Sequence, residues 1–134
     1  MRTCELQFIS EAAQVRDMVR QLLDFIDDYA PTSHARNDLR LIFSELLYNA
    51  VVHGNCEDRQ KCVQVEVKAA DDRVYVSIQD EGSGFDYRQA LEDAQSESAL
   101  LSEHGRGMIL VFALTENLSF NESGNKVRFE MRLR

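Results

Sequence analysis

Ser44-Glu45-Leu46-Leu47-Tyr48-Asn49-Ala50-Val51-Val52-His53-Gly54-Asn55 is the stretch whose reading decides the fold. Read as a helix, it stacks Glu45 and Asn49 four residues apart on one face, one turn from each other. Leu46, Leu47, Ala50 and Val51 fall on the other side, and the apolar stripe runs back through Leu39, Ile42 and Phe43 in steps of three and four. The helix is therefore core on one side and carries a carboxylate and an amide on the other. Alone, such a pair describes a solvated polar face. Its meaning depends on what the rest of the chain brings to it.

Upstream, Arg2 to Ile9 alternates Cys4, Leu6 and Phe8 with Thr3, Glu5 and Gln7, the pattern of a half-buried strand. Ser10 ends it and is placed to cap a helix. From Glu11 to about Tyr29, Val15, Met18, Val19, Leu22, Leu23 and Ile26 recur at helical spacing. Pro31, the only proline, marks the break, and Thr32 or Ser33 caps the next helix. That helix is expected to stop near His53-Gly54, with the glycine in the left-handed conformation that closes a last turn.

Downstream, Asn55 to Lys61 reads as a polar loop. Val63, Val65, Val67 and Ala69, then Val74, Val76 and Ile78, alternate with polar residues about an Asp71-Asp72 turn and predict a hairpin with one face in the core. Asp80 shares the parity of Val74, Val76 and Ile78, so its carboxylate points to the buried side. Burying it without a donor costs several kcal/mol, so the protein or a ligand must supply one. In Glu81-Gly82-Ser83-Gly84-Phe85 two glycines in three positions allow sharp turning and close approach of the backbone to another molecule.

Asp86 can cap a short helix through Tyr87, Ala90 and Leu91, after which the pattern decays from Asp93 to Glu103 into a connection that is either a lid over a site or a surface loop. Gly105-Arg106-Gly107 opens a helix with Met108, Ile109, Phe112 and Ala113 toward the sheet, and its first amides make a natural anion site. Leu118 and Phe120 begin a strand, Ser123-Gly124-Asn125 turns it, and Val127, Phe129, Met131 and Leu133 alternate to the end. This order predicts an α+β fold, a two-layer α/β sandwich in which a mixed, mainly antiparallel sheet is covered by helices on one face.

Composition narrows the function. The 134 residues fit one domain, 1–134, with 44% hydrophobic and 28% charged residues, as in an ordinary globular protein. No apolar run approaches about 18 residues and the first residues lack a secretory core, which predicts a cytoplasmic protein without a membrane partner. Cys4, Cys56 and Cys62 have neither even number nor CxxC spacing, so reduced thiols fit best. A net charge of −8 makes nucleic acid a poor partner. A small anion remains compatible, because backbone amides and a cation or two can hold it locally.

Glu45-x-x-x-Asn49-Ala50-x-x-His53-Gly54, Asp80-x-Gly82-x-Gly84-Phe85 and Gly105-x-Gly107 together resemble the three boxes of the gyrase and histidine-kinase type (Bergerat or HATPase) ATP-binding fold. The short chain and the sequences around those boxes look like the bacterial anti-sigma-factor serine/threonine kinases. The resemblance implies that Asn49 holds Mg²⁺ through its side-chain oxygen. It implies that Asp80 accepts a hydrogen bond from the adenine amino group, that Gly82 and Gly84 let the chain pass close to the base, and that Gly105, Arg106 and Gly107 cradle the phosphates of ATP. Glu45 would be the general base toward a serine or threonine hydroxyl.

The partners implied are a small anti-anti-sigma protein of STAS type, as phosphoacceptor, and a sigma factor held inactive; such kinases are commonly homodimers. His53 has two readings, a surface residue satisfying the helix dipole or a ligand contact, and Tyr48 is assigned equally to packing or to the site rim. Some members carry an arginine two positions before the first glycine of the third box, where this chain has Glu103. Arg106 would serve instead, or the lid would bring another cation. The alternative is a nucleotide-dependent partner-binding module with little or no kinase activity. A histidine-kinase ATPase domain is a third reading, but the chain has no recognisable phosphoacceptor helix pair.

Overall fold

The computed structural model describes residues 1–84, 92 and 103–134. Its strands are β1 (Arg2–Ile9), β2 (Cys62–Ala70), β3 (Arg73–Gln79), β4 (Glu116–Phe120) and β5 (Lys126–Arg132), in the sheet order β1-β2-β3-β5-β4. Every neighbouring pair is antiparallel, so the described sheet has no parallel member. The helices are α1 (Val15–Asp27), α2 (Ser33–Tyr48) and α3 (Glu103–Leu114). The fold is the α+β, two-layer architecture read from the sequence.

Registers explain why the helices occupy one face. Cys4, Val67, Val76 and Phe129 are successive partners across four strands, and Leu6, Val65, Ile78 and Val127 form the next row. With a side-chain period of two, these rows share one face. Against them lie Met18, Leu22 and Ile26 of α1 and Leu39, Ile42, Phe43 and Leu47 of α2, all buried. Burial of each such side chain contributes about 1.5–3 kcal/mol. The Phe43 and Phe129 rings meet at 6.3 Å between centroids and join α2 to β5. The other face is a polar concavity of about 890 Å³, uncovered by any helix among the described residues and lined by residues such as Gln64, Glu66, Ser77 and Arg128.

Several local expectations change. Thr32, not Ser33, caps α2, its Oγ1 accepting from the Ala35 amide at 3.1 Å. Ser10 caps nothing: its Oγ donates to the Lys61 carbonyl at 2.8 Å, and Ala12–Gln14 form a 3₁₀ turn before α1. At Asn49 the α-helix widens into a π turn, Asn49–Gly54. Gly54 is accordingly not left-handed; the positive φ values after the helix fall at Cys56 and Glu57. The helix ends by i→i+5 pairing, Asn55 N–H to the Ala50 carbonyl at 2.9 Å, which leaves no role for a glycine cap. Helix α3 begins at Glu103, two residues before Gly105, a glutamate being favourable in a first turn. The expected short helix from Asp86 and the connection from Asp93 lie outside the described residues.

Candidate functional site

The π turn changes what a regular helix would present. Asn49 is buried, and its Nδ2 donates to the Met108 thioether of α3 at 3.3 Å. Its Oδ1 is buried with no hydrogen-bond partner among the described residues. An unbonded buried amide oxygen costs on the order of 1–3 kcal/mol. An oxygen in this state is open to a cation or to a hydrogen-bond donor. His53, by contrast, is exposed, with its ring edge-on to Tyr48 at 5.9 Å.

Asp80 lies across from Asn49 at the end of β3 and is buried, as its parity required. Its amide donates to the Asn125 carbonyl at 2.9 Å, and its Oδ1 accepts from the Gly82 amide at 2.8 Å. A side chain at Gly54 would overlap the Asp80 carboxylate, and one at Gly82 would overlap the Gly54 carbonyl. The two boxes touch here because both glycines lack a Cβ. Gly84 differs: its φ of 101° is left-handed, and it passes against the Ser123 carbonyl of the last hairpin. Phe85 lies outside the described residues.

Glu45 is half-buried on α2, and a Cβ on Gly107 would overlap its carboxylate. The third box therefore delivers the first turns of α3 onto the face carrying Glu45 and Asn49. Gly105 and Arg106 lie in that first turn; the Arg106 side chain is outside the described residues. Asn49, Ala50, Ile78, Asp80, Asn125 and Lys126 line one cleft. Its free space of about 30 Å³ admits water but not a purine, which would enter only if the cleft widened.

Sequence reading missed two contributors. Asn125, in the Ser123-Gly124-Asn125 turn, holds the Asp80 backbone. Asn55, at the head of the polar stretch that runs to Lys61, is fully buried. Nothing local marks either, because their partners lie far along the chain.

Burial raises the Asp80 carboxyl above its usual range, partly offset by the Gly82 amide and by Lys61. The folded chain thus holds this proton more tightly than the unfolded one. The resulting contribution to stability is fully present below the ordinary aspartate range and is lost as pH rises through the raised value. A ligand N–H donating to the carboxylate favours the ionised form. For an adenine nucleotide whose amino group donated to this carboxylate, affinity is expected to fall on acidification through the raised Asp80 value, and calorimetric titrations from about pH 7 to about pH 4 check it. Affinity that stays flat over that range would remove Asp80 from base recognition.

Comparison with known proteins agrees with this geometry. A family model described as the histidine kinase-like ATPase domain matches residues 8–131. The chain belongs to the histidine kinase-like ATPase domain family. Curated relatives include the anti-sigma F factor of Lysinibacillus sphaericus, 30% identical over 96 residues, covering 71% of this chain and 66% of the relative. The anti-sigma F factor of Bacillus subtilis (strain 168) is 27% identical over 113 residues, 81% of this chain and 77% of its own length. That of Clostridium botulinum (strain Eklund 17B / Type B) is 24% identical over 131 residues, 95% and 92%. The family and the anti-sigma branch are those the three boxes resembled. No described helix is long and apolar enough to cross a membrane.

Proposed function

We propose that this member of the histidine kinase-like ATPase family binds ATP with Mg²⁺ and transfers the γ-phosphoryl group to a serine or threonine of an anti-anti-sigma partner, while sequestering a sigma factor in the cytoplasm. The observation that carries this reading is the shared cleft of Asn49 and Asp80, with an unbonded amide oxygen on one wall and a buried carboxylate on the other. The carboxylate asks for a donor, as an adenine amino group is. The amide oxygen suits a hard cation.

The donor set fits Mg²⁺. Among the described residues no group of three or more His, Cys, Asp or Glu could hold a metal. Mg²⁺ needs none, since it commonly takes one or two protein oxygens together with phosphates and waters. Asn49 Oδ1 would hold it, and the bound ion would neutralise charge on the phosphates. Gly105, Arg106 and Gly107 in the first turn of α3 would face those phosphates, and Gly82 and Gly84 would admit the base. His53, exposed beside Tyr48, would reach only the outer rim.

Glu45 completes the chemistry. Its carboxylate takes the proton of the attacking hydroxyl, and that oxygen bonds to the γ-phosphorus. The bond from phosphorus to the bridging oxygen breaks, and ADP leaves with the electron pair. Positioning and charge neutralisation carry most of such a transfer, so one carboxylate suffices as base.

The regulatory part rests on the relatives named anti-sigma F factor. It proposes a sigma factor and a STAS-type anti-anti-sigma protein as partners, with a homodimer as the working assembly. Glu103, where some members carry arginine, favours a second reading as a nucleotide-dependent binding module with weak transfer. Incubation with γ-labelled ATP, Mg²⁺ and an anti-anti-sigma protein separates the two. Label on a partner serine or threonine is expected. Sigma-factor capture without any label would leave the module and remove the kinase.

A further inference from the structure

The Asn55 side chain uses both kinds of polar atom. Its Nδ2 donates to Ser10 Oγ at 2.7 Å and to the Cys62 carbonyl at 3.0 Å, and its Oδ1 accepts from the Glu81 amide at 2.7 Å. Ser10 is also fully buried and passes its own hydrogen on to the Lys61 carbonyl. One amide therefore ties together the end of β1, the end of the π turn, the start of β2 and the residue after Asp80. A polar group so fully bonded away from solvent holds its neighbours in one arrangement, because any displacement leaves buried donors and acceptors unmet.

The Glu81 bond matters most. Asp80 has a peptide plane on either side. The preceding plane is held through the Asp80 N–H on the Asn125 carbonyl, and the following plane through the Glu81 N–H on Asn55 Oδ1. With both planes pinned, the Asp80 Cα–Cβ direction is set. Meanwhile Gly54, the residue before Asn55, lies against the carboxylate itself. The π turn and the β3 terminus are thus registered at two adjacent pairs, Gly54 with Asp80 and Asn55 with Glu81. Asn55 is fully buried and is not among the residues lining the cleft, so it acts on the site through the neighbours it holds, Glu81 beside Asp80 foremost.

We infer that Asn55 is a positioning residue for base recognition, aiming the Asp80 carboxylate so that the site separates a 6-amino purine from a 6-oxo purine. This rests on the adenine-reading role given to Asp80 above. A hydrogen-bonding site discriminates strongly only when its polar group is held in place, since a carboxylate free to swing can find water or another donor.

The test measures Kd of Mg-ATP and Mg-ITP, which differ at the 6-position, for the full chain and for Asn55→Ala and Ser10→Ala, together with each Tm. Wild type is expected to favour ATP by about 100-fold. Asn55→Ala is expected to lower that ratio at least about tenfold, through weaker ATP binding with ITP affinity nearly unchanged. Ser10→Ala removes one anchor of Asn55 without touching Glu81, and should lower the ratio by about threefold. Lower Tm with an intact ratio in both variants would make Asn55 merely structural and overturn the inference while leaving Asp80's role standing. A wild type that does not discriminate would overturn the Asp80 role and the inference with it. If Asn55→Ala does not fold, Ser10→Ala decides alone: a reduced ratio supports the inference and an unchanged one overturns it.

Discussion

Asp80→Asn is expected to cut the stabilisation of this chain by Mg-ATP from about 2.7 to about 0.4 kcal/mol while leaving the free protein at least as stable as wild type. The first half follows from hydrogen bonding. One Asp80 oxygen already accepts from the Gly82 amide at 2.8 Å, so the other is the acceptor left for an adenine amino group. In the amide variant the single oxygen stays with Gly82, and the NH₂ meets the purine donor to donor. Losing a charge-assisted bond and gaining that opposition costs about 3 kcal/mol, roughly 100-fold in Kd. The second half follows from the raised proton affinity of the buried carboxyl, whose ionised form is disfavoured in the free chain. A neutral amide removes that penalty.

The two halves make the experiment readable. Saturation at about 100 times Kd stabilises wild type by about 2.7 kcal/mol, on the order of 10 °C in Tm for a domain of this size. A variant with wild-type melting temperature and an ATP shift of only about 1–2 °C has lost recognition and not the fold. If wild type itself shows no Mg-dependent shift, the nucleotide reading is withdrawn.

Glu45→Gln is expected to reduce phosphoryl transfer to the partner by about 10²–10⁴-fold, with ATP affinity changed by less than about threefold. Glutamine keeps the shape that α3 packs on: position 107 is glycine because the Glu45 carboxylate fills the space a side chain would need. Alanine at 45 would open a gap under α3 and mix structural with chemical effects, so the isosteric amide is the informative change. It retains the contact and loses the ability to take a proton. Single-turnover transfer from labelled ATP measures the loss, and calorimetry checks the affinity. Transfer at the wild-type rate would leave the binding site intact and assign the base to another group.

Both variants act on residues whose faces are legible from local periodicity, while their roles follow from the resemblance of the three boxes. Asp80 follows the inward parity of Val74, Val76 and Ile78, and a period of two carries that parity through the turn. Glu45 and Asn49 share a helix face because Leu39, Ile42, Phe43, Leu46 and Leu47 define the opposite one. The hairpins were equally legible, since their alternation could be satisfied only with one face buried. The boundaries of α1 and α3 were less so, because capping groups and glycines near helix ends compete with tertiary contacts that the local pattern does not contain.

From its residues alone, the chain determined the two layers, the faces of its helices and strands, and the three boxes that resemble an ATP-binding family. Only the tertiary structure decided how those boxes meet. The π turn at Asn49, Gly54 seated on Asp80, Met108 against Asn49 59 positions away, and Asn55 reaching Glu81 across 26 positions all depend on strand register and helix docking. Periodicity states which side of an element faces inward. It cannot state which distant donor will stand opposite a given acceptor, because that choice is made by the packing of the whole core.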